Sequence, residues 1–223
     1  MNDVELYHVL NRGVEKRDLF MDDQDRARFV HDLYEFNDEA PARNVPYHYQ
    51  SNIMGLRNPI IGREKIVDIH GWCLMKNHYH LLVSERMEGG LTKFTRKINV
   101  GYANYFNGKY ERSGTLFQGR TKKKHIDSDA YFLHILNYIH LNPLDLLKDA
   151  KDWRERRITN ASDAMTHLQK YRWSSYLDYA GTKNFPSILT KTLFQGVFGD
   201  VEKATEKYLK SIELESVRPF LLE

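Results

Sequence analysis

Four short stretches of the chain have the spacing of β-strands. They cover residues 5–10, 67–75, 78–84 and 122–126. In the second stretch, successive residues from Val67 to Met75 alternate between two sides, which is typical of a strand with one buried face. Lys76 and Asn77 lie between the second and third stretches, and they are predicted to form the turn that connects them.

Two helices are predicted from apolar residues spaced three and four positions apart. The first begins after Asp22 or Asp23, either of which can cap a helix N-terminus, and it continues to about Asn37. The second covers residues 91–107, and Gly108 follows at the position where a left-handed residue commonly ends a helix. The first helix therefore separates strands one and two, and the second separates strands three and four.

A third helix is predicted after the last strand. Ser128 is a favourable N-cap, and Pro143 prevents the helix from continuing beyond Asn142. The buried side of this helix is marked by four apolar residues with helical spacing: Phe132, Ile135, Leu136 and Ile139.

The order of these elements predicts the fold class. Strand, helix, strand, strand, helix, strand is the order of the ferredoxin-like (split βαβ) fold, an α+β protein whose antiparallel sheet carries helices on one face. We assign residues 1–180 to this domain, with an inserted excursion at 39–63, where prolines and glycines interrupt any regular period. Residues 181–223 are expected to form a helical C-terminal extension.

The composition excludes several classes of protein. The chain has 223 residues, and none of its apolar stretches approaches the roughly 20 residues that a membrane span needs. Cys73 is the only cysteine, which excludes an intramolecular disulfide and a multi-cysteine metal site. The first ten residues lack the apolar run of a secretory signal. We therefore expect a cytoplasmic protein that does not bind a membrane.

Positive charge is concentrated between residues 91 and 125. This segment contains nine Lys or Arg residues and a single acid, Glu111. Its net charge is therefore +8, whereas the net charge of the whole chain is +3. Aromatic residues lie among these cations, a combination that suits single-stranded nucleic acid, because cations neutralise phosphates and rings stack on unpaired bases. A solvated basic face over core aromatics has the same pattern. With Arg12 near the first strand, the candidate nucleic-acid-binding residues are Lys93, Arg96, Lys97, Arg112, Arg120, Lys122, Lys123 and Lys124.

Two histidines in the third strand are candidate metal ligands. His78 and His80 flank Tyr79, and alternate residues of a strand project from the same face. Two imidazoles held side by side on a rigid strand can bind a divalent metal. Such a pair is weak evidence in a chain with ten histidines. The other histidines, His8 included, are interpreted as surface or packing residues.

The third helix supplies groups that complement this pair. Tyr131, Tyr138 and Asn142 fall in one narrow stripe, with Tyr138 and Asn142 one turn apart. A metal held by the histidines and Asn142 can polarise a phosphodiester, whose phosphorus the Tyr138 oxygen can then attack. Two alternatives stay open: Tyr138 is a packing residue, or Tyr131 is the nucleophile.

Taken together, these residues resemble the single-tyrosine HUH transposases, and in particular the REP-associated tyrosine transposases and their relatives. The most specific features are the His-x-His block at 74–83 and the Tyr-Ile-x-x-Asn-Pro block at 138–143, in that order. Further matching blocks lie at 7–13, 19–20 with 25–29, 102–107, 113–120 and 173–176. The resemblance thus extends from residue 7 to about residue 180.

The resemblance implies a fold, a cofactor and a reaction. It implies an HUH domain in which His78 and His80 bind Mg²⁺ or Mn²⁺, Asn142 completes the metal site and Tyr138 is the nucleophile. The family cleaves single-stranded DNA near hairpins, forms a 5′-phosphotyrosine and releases a 3′-OH, which permits strand transfer. We expect hairpin DNA to lie along the basic 91–125 surface. Family members can form homodimers in which one chain's tyrosine serves its partner's histidines.

The chain departs from the family pattern in two places, and two other functions remain open. The excursion at 39–63 is longer than expected, and Lys76 stands where family members usually have proline. One alternative function is a domesticated protein that binds structured single-stranded DNA or RNA without cutting it. The other is a metal hydrolase of small phosphoesters in which Tyr138 has only a structural role.

Overall fold

A four-stranded antiparallel sheet forms the centre of the molecule. The structure, a computed structural model, describes residues 4–41, 63–147, 153 and 160–211. The strands are adjacent in the order β2-β3-β1-β4, and every neighbouring pair is antiparallel. Their bounds are β1 Leu6–Arg12, β2 Val67–Leu74, β3 His78–Glu85 and β4 Lys122–His125.

Helices α1 (Asp23–Glu35) and α2 (Gly90–Lys109) pack on one face of this sheet. The Asp22 carboxylate caps α1 by accepting a hydrogen bond from the backbone N–H of Asp25 at 2.8 Å. The two helices and the sheet share a core that includes Phe29, Ile98 and Leu81. The element order and the strand order confirm the ferredoxin-like α+β fold.

Helix α3 (Asp129–Leu141) packs on the opposite face of the sheet. As predicted, Ser128 caps it, with the Ser128 hydroxyl accepting from the Tyr131 N–H, and a 3₁₀ turn containing Pro143 (Asn142–Leu146) ends it. The helix lies close to β2, because a Cβ added at Gly71 would come within 2.9 Å of a methyl carbon of Leu136. Glycine at this position therefore permits the close approach of helix and strand.

The C-terminal helices join α3 in a second apolar core. They are α4 Ala161–Lys170, α5 Tyr176–Tyr179, α6 Thr192–Phe198 and α7 Val201–Ser211. Leu168, Phe194 and Val201 pack in this core with residues of α3. The expectation of helices on one face is thus correct for α1 and α2, while α3 and the C-terminal helices form a further layer on the other face.

The free edge of β2 is covered by two segments of the C-terminal part. Leu74 donates its backbone N–H to Trp173, and Ser175 donates to Trp72, both at 2.9 Å. Farther along the same edge, Thr190 donates to Ile69 at 2.8 Å. Residues on both sides of position 180 therefore pack against the same strand. Of the predicted excursion at 39–63, residues 42–62 lie outside the described residues.

Two local features differ from the sequence prediction. In β2 the pairing with β3 shifts between Ile69 and Gly71, so that the alternation predicted for this strand is interrupted at His70. Helix α2 continues through Gly108 to Lys109, and the left-handed residue is Glu111, with φ of 50°. Within the described ranges, no helix combines the length and the apolar character that a membrane crossing requires.

Candidate active site

The predicted histidine pair lies on the face of the sheet that α3 covers. In the β1–β3 ladder, His78 is opposite Arg12 and His80 is opposite Leu10. Because paired residues of adjacent strands project from the same face, Arg12 and His8 of β1 share the histidine face. The other face, which carries Tyr79 and Leu81, packs against α1 and α2.

Tyr138 of α3 lies against His80 of the same chain. The two ring centroids are 5.8 Å apart and the rings are nearly perpendicular, at 88°. The Tyr138 ring has a second edge contact with His8, at 5.9 Å. The predicted convergence of the tyrosine with the histidine strand is therefore present within a single chain, without a second subunit.

Each histidine of the pair is held through its Nδ1 atom. The Nδ1 atom of His78 is 2.7 Å from Oδ1 of Asn77, and the Nδ1 atom of His80 is 2.9 Å from Nε2 of His8. The two rings of the pair are 5.0 Å apart between centroids, at an interplanar angle of 80°. This arrangement makes Nε2 the atom of each ring that is suited to bind a cation.

His8 is a site residue that the sequence interpretation missed. Its side chain is fully buried, and its Nδ1 atom is 3.1 Å from the hydroxyl oxygen of Tyr131. Burial raises the pKa of the Tyr131 hydroxyl, which favours the neutral phenol as partner of His8. The only signal in the sequence was that His8 lies in a predicted strand. Its contact with His80 depends on the strand register, which places Leu10, two residues after His8, opposite His80.

The predicted nucleophile and metal ligands are shielded from solvent. His80 is fully buried, and the exposed fractions of His78 and Tyr138 are 7% and 5%. Trp153 packs against the Tyr138 ring at a centroid distance of 6.0 Å, and its indole N–H donates to Asp145 at 2.7 Å. A nucleic-acid strand therefore reaches Tyr138 only after residues that cover it have moved.

Asn142, the third predicted metal ligand, is fully buried at the end of α3. Its Nδ2 atom donates to the backbone carbonyl of Tyr138 at 2.8 Å, so its side-chain orientation is fixed by the residue one turn earlier. Of the two polar atoms of this amide, only Oδ1 has lone pairs that can bind a cation.

The three predicted metal ligands include no negatively charged side chain. Among the described residues, no group of three or more His, Cys, Asp or Glu side chains is arranged to hold a metal ion. A site made of His78, His80 and Asn142 has two imidazole nitrogens and one amide oxygen. Because imidazole suits transition metals and Mg²⁺ prefers oxygen, these residues fit Mn²⁺ better than Mg²⁺.

The predicted nucleic-acid-binding cations are divided between the two faces of the sheet. In the β1–β4 ladder, Lys124 is opposite His8 and Lys122 is opposite Leu10, so both share the histidine face with Arg12. Lys123 projects from the other face, where its amine donates to the hydroxyl of Thr92 in α2 at 2.7 Å.

The cations of α2 lie on the side of the sheet away from Tyr138. Lys93 forms an ion pair with Glu39 at 3.4 Å, and the amine of Lys97 donates to the backbone carbonyls of Asp38 and Ala40. Arg96 is exposed on the same helix. The sheet therefore separates the cations of α2 from the histidines, so the basic residues of segment 91–125 do not all lie on the side of the proposed site.

The two remaining cations follow α2 along the chain. Arg112 donates to the side chain of Asn107 at 2.6 Å, and its guanidinium lies 5.8 Å from the Phe106 ring centroid. Arg120 is exposed just before β4. Both therefore belong to the connection between α2 and β4, and neither shares the histidine ladder with Arg12.

A comparison with protein families agrees with the sequence resemblance. Residues 59–142 match the model of a family described as Transposase IS200 like. The match contains both His78 and Tyr138 and confirms the resemblance to the single-tyrosine transposases over this part of the chain. No curated protein matches the chain. A solved structure of a REP-associated tyrosine transposase bound to a REP hairpin aligns with a TM-score of 0.48 at 12% identity, covering 85% of this chain and 87% of that chain.

Proposed function

We propose that this chain, transposase-like over residues 59–142, is a single-stranded DNA endonuclease and strand-transferase that acts near hairpins and uses Tyr138 as its nucleophile. The observation that carries the proposal is the contact of the Tyr138 ring with His80 in the same chain. A packing tyrosine has no need of a histidine pair, whereas a phosphodiester nucleophile needs a cation next to it.

The reaction exchanges one phosphoester bond for another. The Tyr138 oxygen attacks phosphorus, an O–P bond forms to the tyrosine, and the bond to the 3′-oxygen of the preceding nucleotide breaks. The phenol proton ends on the released 3′-hydroxyl, so that the products are a 5′-phosphotyrosine and a free 3′-OH. The reverse reaction with another 3′-OH joins strands without hydrolysis.

Three residues would hold the divalent cation, and three others would guide the DNA. His78, His80 and Asn142 fit the cation, which supplies Lewis-acid polarisation of the phosphate when it is bound. Arg12, Lys122 and Lys124 share the histidine face, and we assign to them the phosphates on either side of the scissile bond.

Covalent trapping tests this function. The wild-type protein, incubated with Mn²⁺ and hairpin-bearing single-stranded DNA, should form an adduct that survives denaturing electrophoresis. Tyr138→Phe should lose the adduct, whereas Tyr131→Phe should keep it when Mn²⁺ is in excess. An adduct of equal yield in Tyr138→Phe would refute the assignment of the nucleophile.

The burial of the site favours a second candidate function. His78, His80 and Tyr138 are all nearly inaccessible, which suits a protein that binds structured single-stranded DNA or RNA without cutting it. That protein would bind hairpins equally well with and without a metal chelator, and it would form no adduct under the conditions above.

A further inference from the structure

The two histidines of the proposed metal site have the same kind of neighbour. In each ring, Nδ1 is the hydrogen-bonded nitrogen, with Asn77 as the partner of His78 and His8 as the partner of His80. Asn77 comes from the turn before β3, and His8 comes from the adjacent strand β1. Two partners from different parts of the chain thus engage the equivalent atom of both rings.

We propose that Asn77 and His8 are positioning residues that hold His78 and His80 as their Nδ1–H tautomers, so that both Nε2 atoms keep a lone pair for the cation. This inference rests on the proposed function for its purpose, but the tautomers themselves are a property of the metal-free protein. A histidine protonated on Nε2 cannot bind a metal through that atom.

The orientation of Asn77 determines the tautomer of His78. The amide nitrogen of Asn77 donates to the backbone carbonyl of Lys16 at 3.2 Å, which directs its Oδ1 atom toward His78. The backbone carbonyl of Asn77 accepts a hydrogen bond from the backbone N–H of Gly13 at 2.9 Å, which fixes the turn against the end of β1. Because an amide oxygen only accepts, Nδ1 of His78 must carry the proton.

For His80, the proposed tautomer sets the direction of two consecutive hydrogen bonds. A neutral imidazole has one N–H and one acceptor nitrogen. When Nδ1 of His80 donates to Nε2 of His8, the proton of His8 lies on its Nδ1 atom and points to the Tyr131 oxygen 3.1 Å away. This series of hydrogen bonds begins at His80, a proposed metal ligand, and ends at Tyr131 on α3, the helix that carries Tyr138.

Outer partners of metal-bound histidines affect affinity as well as orientation. Removing such a partner typically lowers metal affinity by about 10–100-fold. We expect this loss for Mn²⁺ in His8→Phe and in Asn77→Leu. Asn77→Asp should bind Mn²⁺ at least as tightly as the wild type, because its carboxylate still accepts the proton of His78.

The test reads the tautomers directly in the metal-free protein. Nitrogen-15 NMR of the histidine rings, recorded at about two pH units above the ordinary histidine pKa, distinguishes Nδ1–H from Nε2–H. The wild type should show Nδ1–H for His78 and His80. In His8→Phe, only His80 should become a mixture of tautomers that includes the Nε2–H form. In Asn77→Leu, only His78 should do so. His70→Phe, which removes another buried, hydrogen-bonded histidine of the sheet, should change neither ring.

Each outcome has one meaning. An Nε2–H form at His78 or His80 in the wild type overturns the proposal, and this measurement needs no variant to fold. The proposal is also overturned if a variant populates the Nε2–H form but binds Mn²⁺ as tightly as the wild type does, as measured by calorimetry. Tautomers and affinities that behave as expected in a protein that forms no DNA adduct would uphold the positioning roles and refute only the proposed function.

Discussion

The ring of Tyr138 lies edge-on to the ring of His80 within one chain, with centroids 5.8 Å apart. Helix α3 brings the tyrosine to this position by packing on the sheet face that carries the histidines, and Gly71 permits that close packing. The proposed nucleophile and the strand with the proposed metal ligands therefore come from the same chain.

Complementation between two inactive variants tests this arrangement. Tyr138→Phe and His80→Ala each lack one part of the site, and a mixture of the two should form no covalent DNA adduct above the background of either alone. If tyrosines were exchanged in a dimer, a dimer of one Tyr138→Phe chain and one His80→Ala chain would have one site that contains both Tyr138 and His80. Recovery of adduct to about a quarter or more of the wild-type yield would therefore contradict a site within one chain.

The division of the basic residues predicts which lysines contact DNA. Lys122→Gln combined with Lys124→Gln removes two cations from the histidine face. The slope of log binding constant against log salt for a single-stranded hairpin substrate should fall by about 1.4, because each phosphate contact contributes about 0.7.

The matched control changes two lysines of α2. Lys93→Gln combined with Lys97→Gln removes the same charge from the far side of the sheet. We expect the salt slope to stay within about 0.3 of the wild type, since these lysines neutralise no phosphate at the site. Equal losses in both double variants would mean that the lysines of α2 contact DNA as much as those of the histidine face do, which would contradict the proposed DNA path.

Much of the site followed from periodicity alone. A period of two placed His78 and His80 on one face, and a period of 3.6 placed Tyr138 one turn before Asn142. Both periods are local properties of the backbone, which is why a single sequence reveals them. The fold class followed similarly from the order of elements, which the strand order confirms.

Other features depend on contacts between distant segments. His8 is 72 positions from His80, and only the register of β1 against β3 brings their rings together. The pairing shift at His70 interrupts an alternation that the residues themselves suggest. The separation of Lys93 from Lys122 depends on which face each element packs against, and net charge along the chain contains no such information.

Two glycines in helices provide a test of the packing. A Cβ at Gly101 of α2 would lie 2.2 Å from a ring carbon of Phe36, whereas a Cβ at Gly196 of α6 meets no heavy atom within 4 Å. Gly101→Ala should lower the free energy of unfolding by about 1–3 kcal/mol, the usual cost of overpacking. Gly196→Ala should raise it by about 0.5–1 kcal/mol, because alanine favours the helix. Urea denaturation measures both, and a Gly101→Ala variant as stable as the wild type would show that the Phe36 ring is not held against α2.

Stability should also depend on pH through His70. Burial lowers the pKa of His70, whose ring nitrogens are held by Ser84 and the Thr190 carbonyl. Below about pH 6.5 the unfolded chain binds a proton at His70, whereas burial opposes this protonation in the folded chain. The stability that neutral His70 contributes is therefore present above about pH 6.5 and is lost as the pH falls.

The slope of unfolding free energy against pH just below 6.5 measures this effect. The slope should be smaller in His70→Gln than in the wild type, by up to about 1.4 kcal/mol per pH unit. An unchanged slope in His70→Gln would show that the imidazole accepts a proton in the folded protein.

The most direct test of the nucleophile is to identify the residue that becomes attached to DNA. The wild-type protein is allowed to react with hairpin-bearing single-stranded DNA and Mn²⁺, the adduct is digested with protease and nuclease, and the modified peptide is sequenced by mass spectrometry. The modified peptide should contain Tyr138 esterified to the 5′-phosphate of a nucleotide. Attachment of the nucleotide to Tyr131, or to any other residue, would show that Tyr138 is not the nucleophile.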